Sequence, residues 1–259
     1  MRSLTMSDDR EAQLLVAHPG HELLLYGWIR RTKPVLHVLT DGSGHSAASR
    51  LGATSLMVDA EGGRRGAIFG RLSDRDAYAM ILEGNTALLQ SVVTDLATEL
   101  RQRRSTMIVC DAAEGYNPVH DLCRLIAGAA IDIAETGVRQ YEYVVINDPN
   151  AFDGGDDLLR LDLDDVTLDG KIEAARRFAA ILPDVEELLA RHGREAFRHE
   201  IFRRVVDWTD LGSGVPEYER FGEARVADGR YRHVIRKKEH ILPLRDALHA
   251  FTGKPQCVS

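Results

Sequence analysis

The chain has 259 residues, with 33 Lys+Arg against 40 Asp+Glu and a formal net charge of −7. Its composition, 44% hydrophobic and 28% charged, excludes a largely disordered chain, a collagen-like fibre and a disulfide scaffold. The acidic balance argues against nucleic-acid binding, which requires a basic face for the phosphates. Three scattered cysteines, Cys110, Cys123 and Cys257, form no disulfide framework or CxxC metal site and fit a reducing cytoplasm. The first residues carry no apolar h-region of a signal peptide. No apolar run approaches the ~20 residues needed to cross a bilayer. The expectation is a cytoplasmic protein with no integral membrane segment.

Short apolar runs alternate with longer amphipathic stretches. Leu14 to Ala17 reads as a strand that ends at His18-Pro19-Gly20. His21 to Arg31 reads as a helix stopped near Pro34, and Val35 to Leu39 as a second strand that leaves through Thr40-Asp41-Gly42-Ser43-Gly44. Ala67 to Phe69 reads as a short third strand, and Ala77 to Arg103 as a long helix broken near Gly84. Met107 to Cys110 is a strand, Asp111 to Asn117 a loop, Pro118 to Thr136 a helix and Tyr141 to Ile146 another strand. The stretch from Asp148 to Asp157 reads as a loop, and Leu168 to Arg191 as a helix with Pro183 as a break. A further helical stretch from Tyr231 to His249 is interrupted by Pro243. This alternation predicts an α/β fold, a Rossmann-like and mostly parallel sheet flanked by helices. One domain is expected over residues 1–259, with a core at about 12–180 and a helical C-terminal extension at about 181–259.

Ten histidines make metal or acid–base chemistry a question. His18 stands at the end of the first strand and His21 in the first turn of the next helix, so both imidazoles can face one crevice. A turn histidine and a capping histidine explain this HPGHE segment equally well by itself. The segment Glu114-Gly115-Tyr116-Asn117-Pro118-Val119-His120-Asp121 repeats the placement after a later strand. Asn117 suits an N-cap and Pro118 the first helical position, and His120 then falls in the first turn. Three imidazoles from two strand ends would form a catalytic three-ligand zinc site with an open position. His37 reads as packed, His45 as a loop histidine within reach of the crevice, and His192, His199, His233, His240 and His249 as mostly exposed. Arg64-Arg65 and Arg236-Lys237-Lys238 read as solvated faces.

These motifs resemble those of the LmbE-like (PIG-L) zinc-dependent de-N-acetylases. That family has His-Pro-Asp-Asp-Glu after its first strand and His-Pro-Asp-His opening a later helix. Thr40-Asp41-Gly42, Leu72-Ser73-Asp74 and Lys171-Ile172-Glu173-Ala174 resemble further family segments, and the likeness spans roughly Leu14 to Phe178. It implies zinc, or another divalent metal, on His18, His21 and His120, with His21 in the place of the family's Asp. It implies a zinc-bound water that attacks the amide of an N-acetylated amino sugar such as N-acetylglucosamine, or of a glycoconjugate. Arg50 and Asp74 are the implied substrate contacts.

Two departures stand out. Gly20 replaces the family's general base, and Asn117 replaces a histidine that steadies the oxyanion. Another carboxylate must then take the proton, with Asp41 as the candidate, followed by Glu22, Glu114 and Asp121. Asn117 and Tyr116 are expected to steady the oxyanion. The site is expected to be short of negative charge. The partner is a small-molecule or glycoconjugate substrate, and a homo-oligomer is compatible with the sequence. A relative that binds metal or a sugar without turnover is the competing reading, and a different metal-assisted hydrolysis is the third.

Overall fold

The computed structural model describes residues 2–3, 11–44, 48–153, 155 and 157–254. His45 and Cys257 lie outside the described residues. The chain begins with β1 (Arg2–Ser3) and β2 (Ala12–Val16). A 3-10 turn (His21–Leu25) leads into α1 (Tyr26–Thr32), followed by β3 (Val35–Thr40), α2 (Leu51–Ala60) and β4 (Arg64–Leu72). Then come α3 (Asp74–Glu83), α4 (Thr86–Gln102), β5 (Met107–Asp111), α5 (Pro118–Ala134) and β6 (Arg139–Tyr143). The remainder is β7 (Leu158–Asp162), α6 (Asp165–Arg177), α7 (Leu182–His192), β8 (His199–Arg204), α8 (Glu217–Ala227) and α9 (Leu242–Thr252).

The fold is α/β, built on one eight-stranded sheet of order β1-β7-β8-β6-β5-β2-β3-β4. Strands β4, β3, β2, β5 and β6 run parallel, and β1 pairs parallel with β7. Strand β8 is antiparallel to both β6 and β7. The chain leaves β2 for β3 and β4 on one side, then crosses to β5 and β6 on the other. Strand order therefore reverses at β2/β5, where open α/β sheets form a crevice beyond the carboxyl ends of their strands. All five residues of β2 and all six of β3 are buried, as expected for strands covered on both faces.

The break in the first long helix falls at Gly84, as expected, where the chain adopts a left-handed C-cap. Other elements differ from the sequence expectation. The second long stretch breaks at residues 178–181 and not at Pro183, which occupies the first turn of α7. Pro243 likewise sits in the first turn of α9 and does not interrupt it. Proline is tolerated there because the first N–H groups of a helix have no partner within it. The C-terminal extension is helical as expected, but it also supplies β8 to the interior of the sheet. Lys237 is buried, not solvated: its Nζ donates to Leu211 O at 2.6 Å and Gly212 O at 2.5 Å. Leu244 and Leu248 of α9 join the core built by α4 and α5. Gly128 of α5 makes room for Trp208, since a Cβ there would stand 2.1 Å from the indole.

His37 is packed, as expected. Its Nε2–H donates to Gln13 Oε1 at 2.7 Å, and Gln13 Nε2 donates to Ser105 Oγ at 2.7 Å. Burial lowers the His37 pKa from 6.5 to about 4, against the opposing pull of Glu99. The unfolded chain thus binds a proton that the folded protein refuses. The stability His37 contributes is complete above pH 6.5 and is lost as pH falls towards 4. Through this group, stability should drop by about 2 kcal/mol between pH 7 and pH 5. Urea unfolding of wild type and His37→Gln at both pH values measures it, and an unchanged pH slope in the variant contradicts it.

Candidate metal centre

Strand β2 opens into Ala17-His18-Pro19-Gly20, a turn in which Gly20 has φ +110°. L-residues rarely adopt that angle. A Cβ at Gly20 would also stand 2.8 Å from Ile181 Cδ1. The turn is held by Glu22, which is fully buried. Glu22 Oε2 accepts from Gly20 N at 2.7 Å and Oε1 from Thr54 Oγ1 at 2.7 Å. The second approach comes from β5 into α5, where Asn117 caps the helix through Oδ1 to Val119 N at 2.9 Å.

These two strand ends bring His18, His21 and His120 together. Ring centroids lie 5.3 Å apart for His18 and His21, 5.4 Å for His18 and His120, and 4.7 Å for His21 and His120. Two of the rings are held from behind. His21 Nδ1 lies 2.7 Å from Asp111 Oδ2, and His18 Nδ1 lies 3.1 Å from Asp74 Oδ1 and 2.8 Å from Thr40 Oγ1. Partners of this kind behind the ring orient metal-binding histidines, and on its other side His18 Nε2 has Asn117 Nδ2 at 3.4 Å. Asp111 in turn accepts from Ala17 N at 2.9 Å and Tyr143 OH at 2.8 Å.

Burial favours the neutral form of His18 and His120, while the two carboxylates stay ionised. Burial lowers the pKa of His18, and it lowers that of His120 well below the usual histidine range. Burial alone would raise Asp111, but His21, by charge and hydrogen bond, brings it down to about 2. Burial likewise opposes the ionisation of Asp74, yet its hydrogen bond with His18 holds it well below the usual carboxylate range. The site is therefore not short of negative charge as the sequence implies, because Asp74 and Asp111 supply it from the second layer.

His120 Nδ1 is buried with no hydrogen-bond partner among the described residues. Such an orphan costs about 1–3 kcal/mol, which a coordinated cation would remove. Ligand atoms of His21, Asp111 and His120 all lie within 4.8 Å of one another. The donor set, imidazoles with carboxylate, fits a divalent metal.

The other expected residues scatter. Asp41 Oδ1 accepts from Ser43 N at 2.9 Å, and Asp41 does not line the cavity beside the histidines. Glu114 accepts from the backbone N–H groups of Val145, Ile146 and Asn147 and so clamps the loop after β6. Asp121 accepts from Gly115 N at 3.2 Å, and burial raises its pKa to about 7. Asn117 Nδ2 lies 3.4 Å from His18 Nε2. Tyr116 is 45% exposed at the rim, with its ring 6.5 Å from that of His120. Arg50 lines the cavity, and its Nε donates to Gly42 O at 2.5 Å. Asp74 stands behind His18 and does not line the cavity. His233 is exposed, whereas His192, His199, His240 and His249 are half-buried.

A cavity of about 500 Å³ opens from the three histidines. Residues that the sequence reading missed complete it: Ile172 and Ala175 of α6, Val185 and Leu188 of α7, and three carboxylates, Asp184, Glu187 and Glu217. Asp111 was also missed. It is the last residue of a strand, a position that reads as the start of a loop.

No protein-family model matches the chain. No curated protein matches it in sequence. Among solved structures it is similar in fold to the A40926 pseudoaglycone deacetylase, at 13% identity and a TM-score of 0.50, covering 78% of this chain and 99% of that one. A deacetylase of the teicoplanin biosynthetic pathway overlaps at 14% identity and a TM-score of 0.46, covering 76% and 99%.

Gly20 is the position most exposed to test. Gly20→Ala should lose about 1–3 kcal/mol from backbone strain and the collision with Ile181. Gly20→Asp should lose no less and should not gain activity. Thermal unfolding reads the first and hydrolysis assays the second.

Proposed function

We propose that this protein is a metal-dependent amide hydrolase of the LmbE-like (PIG-L) type, removing an acetyl or similar acyl group from an N-acylated amino sugar or glycoconjugate. The observation that carries the reading is the convergence of three imidazoles at the sheet's crossover, two of them held by carboxylates. His18, His21 and His120 are the proposed ligands. Asp111 is given the orienting role because both of its oxygens already accept hydrogen bonds. The likeness in fold to a deacetylase agrees with this reading.

Zinc, or another divalent metal suited to imidazole, would polarise the amide carbonyl and lower the pKa of water there. Asn117 Nδ2 and the Tyr116 hydroxyl are the proposed donors to the developing oxyanion. Water's oxygen joins the acyl carbon, the C–N bond breaks, and a proton from water passes to the leaving nitrogen. The products are a carboxylic acid and an amine. With Gly20 unable to carry a base, we assign the proton relay to the carboxylates lining the cavity, Asp184, Glu187 and Glu217. Asp41 remains at its turn in this scheme. A second reading, a metal- or sugar-binding relative without turnover, draws on the same Gly20, whose Cβ position Ile181 crowds.

Elemental analysis of the purified full chain should find on the order of one metal ion per chain, lost in His18→Ala and His120→Ala. Retained metal in both variants overturns the ligand set. One of Asp184→Asn, Glu187→Gln and Glu217→Gln should lower kcat on N-acyl sugars by ~10²-fold or more. Bound metal with no turnover on a panel of N-acyl sugars selects the second reading.

A further inference from the structure

Helix α7 turns an apolar face towards the cavity. Val185, Leu188 and Leu189 follow the i, i+3, i+4 spacing of one helix face, yet no residue of α7 is buried. Such a face in a folded protein normally packs against a core. Leu188 and Leu189 pack in part against the small cluster of Leu163, Leu168 and Phe197, and with Val185 they also line the cavity, together with Ile172 and Ala175 of α6 and Leu24 of the turn after His21.

The wall is continuous with the site, because His18, His21 and His120 line the same cavity. A cavity of about 500 Å³ belongs to the roughly 300–1,000 Å³ class that encloses whole ligands, far more room than a two-carbon acyl group fills. Lys171 also lines it but offers no free charge. Its Nζ donates to Leu24 O at 2.5 Å, Phe197 O at 3.2 Å and Glu200 Oε1 at 3.0 Å. A carboxylate or sugar hydroxyl laid on this wall would leave its polar atoms unpaired. Polar and charged groups, Arg50, Tyr116, Asn117, Asp184, Glu187 and Glu217 among them, line other parts of the cavity.

We infer that the wall formed by α6, α7 and Leu24 is an acyl-chain subsite, so that the preferred substrate carries an aliphatic acyl group of several carbons on its amide nitrogen. The inference rests on the amide-hydrolase reading for its chemistry and on the wall alone for its selectivity. Burying each added methylene is worth roughly fourfold in affinity.

The test compares N-octanoylglucosamine with N-acetylglucosamine on the metal-loaded full chain, by kcat/KM and by calorimetric binding to the metal-free protein. The octanoyl compound should be favoured at least tenfold in both, with a negative heat-capacity change on binding. Val185→Asp places a charge on the wall and Ala175→Trp fills it, and each should abolish the preference. Circular dichroism checks that both variants fold. Equal binding of the two compounds, or an undiminished preference in both folded variants, overturns the subsite. If neither compound is hydrolysed but the octanoyl compound binds selectively, the hydrolase reading fails and the subsite stands.

Discussion

One carboxylate, that of Asp111, ties the site to the sheet. It closes β5, and its two oxygens reach the β2 exit through Ala17 N, the His21 ring, and Tyr143 at the end of β6. Three adjacent parallel strands are thus pinned at their carboxyl ends by a single buried anion. An unpaired charge in that position would be untenable. The hydrogen-bond donors around it make it stable, and it fixes in return which nitrogen of His21 is free. The imidazole cluster is therefore a property of the sheet's edge and not of a flexible loop.

Strands β2, β3 and β5 were legible because each is a short apolar run with polar turns, and so were the three histidines near the ends of β2 and β5. Strands β4 (RRGAIFGRL) and β6 (RQYEY) carry charge, so β4 was read as only Ala67 to Phe69 and β6 was displaced to Tyr141 to Ile146. What escaped reading depends on pairing between distant residues. Strand β8 reads His-Glu-Ile-Phe-Arg-Arg, a charged segment by composition. Its Glu200 is buried because it accepts from Gly27 N and Trp28 N at the start of α1 and from Lys171. Glu142 of β6 is buried for the same reason, between Arg124 and Arg203. Nothing local announces such partners. Asp74 and Asp111 are likewise ordinary aspartates until the fold sets histidines beside them. Asp41, by contrast, had the sequence position of a site residue and turned out to be occupied with its own turn.

The site thus has two components of different origin. The histidines and their carboxylates come from the parallel sheet. The cavity walls come largely from α6, which the sequence reading placed in the core, and from α7 and the segment around Glu217, which it placed in the C-terminal extension. Ile181 joins the two, since its side chain lies where any Cβ on Gly20 would project. The absence of a side chain at position 20 and the placement of the covering helices are one structural fact seen from two sides.

Strand β8 carries a further consequence for how the molecule is made. It lies between β6 and β7 in the sheet, yet it is the last strand in the chain. While the polypeptide emerges from the ribosome, β6 presents an open, hydrogen-bonding edge until residues 199–204 have been synthesised. Such an edge invites pairing with other chains. Strand β8 covers that edge by pairing antiparallel with β6 and, on its other side, with β7, so the sheet's continuity across this gap depends on the segment made after all its other strands.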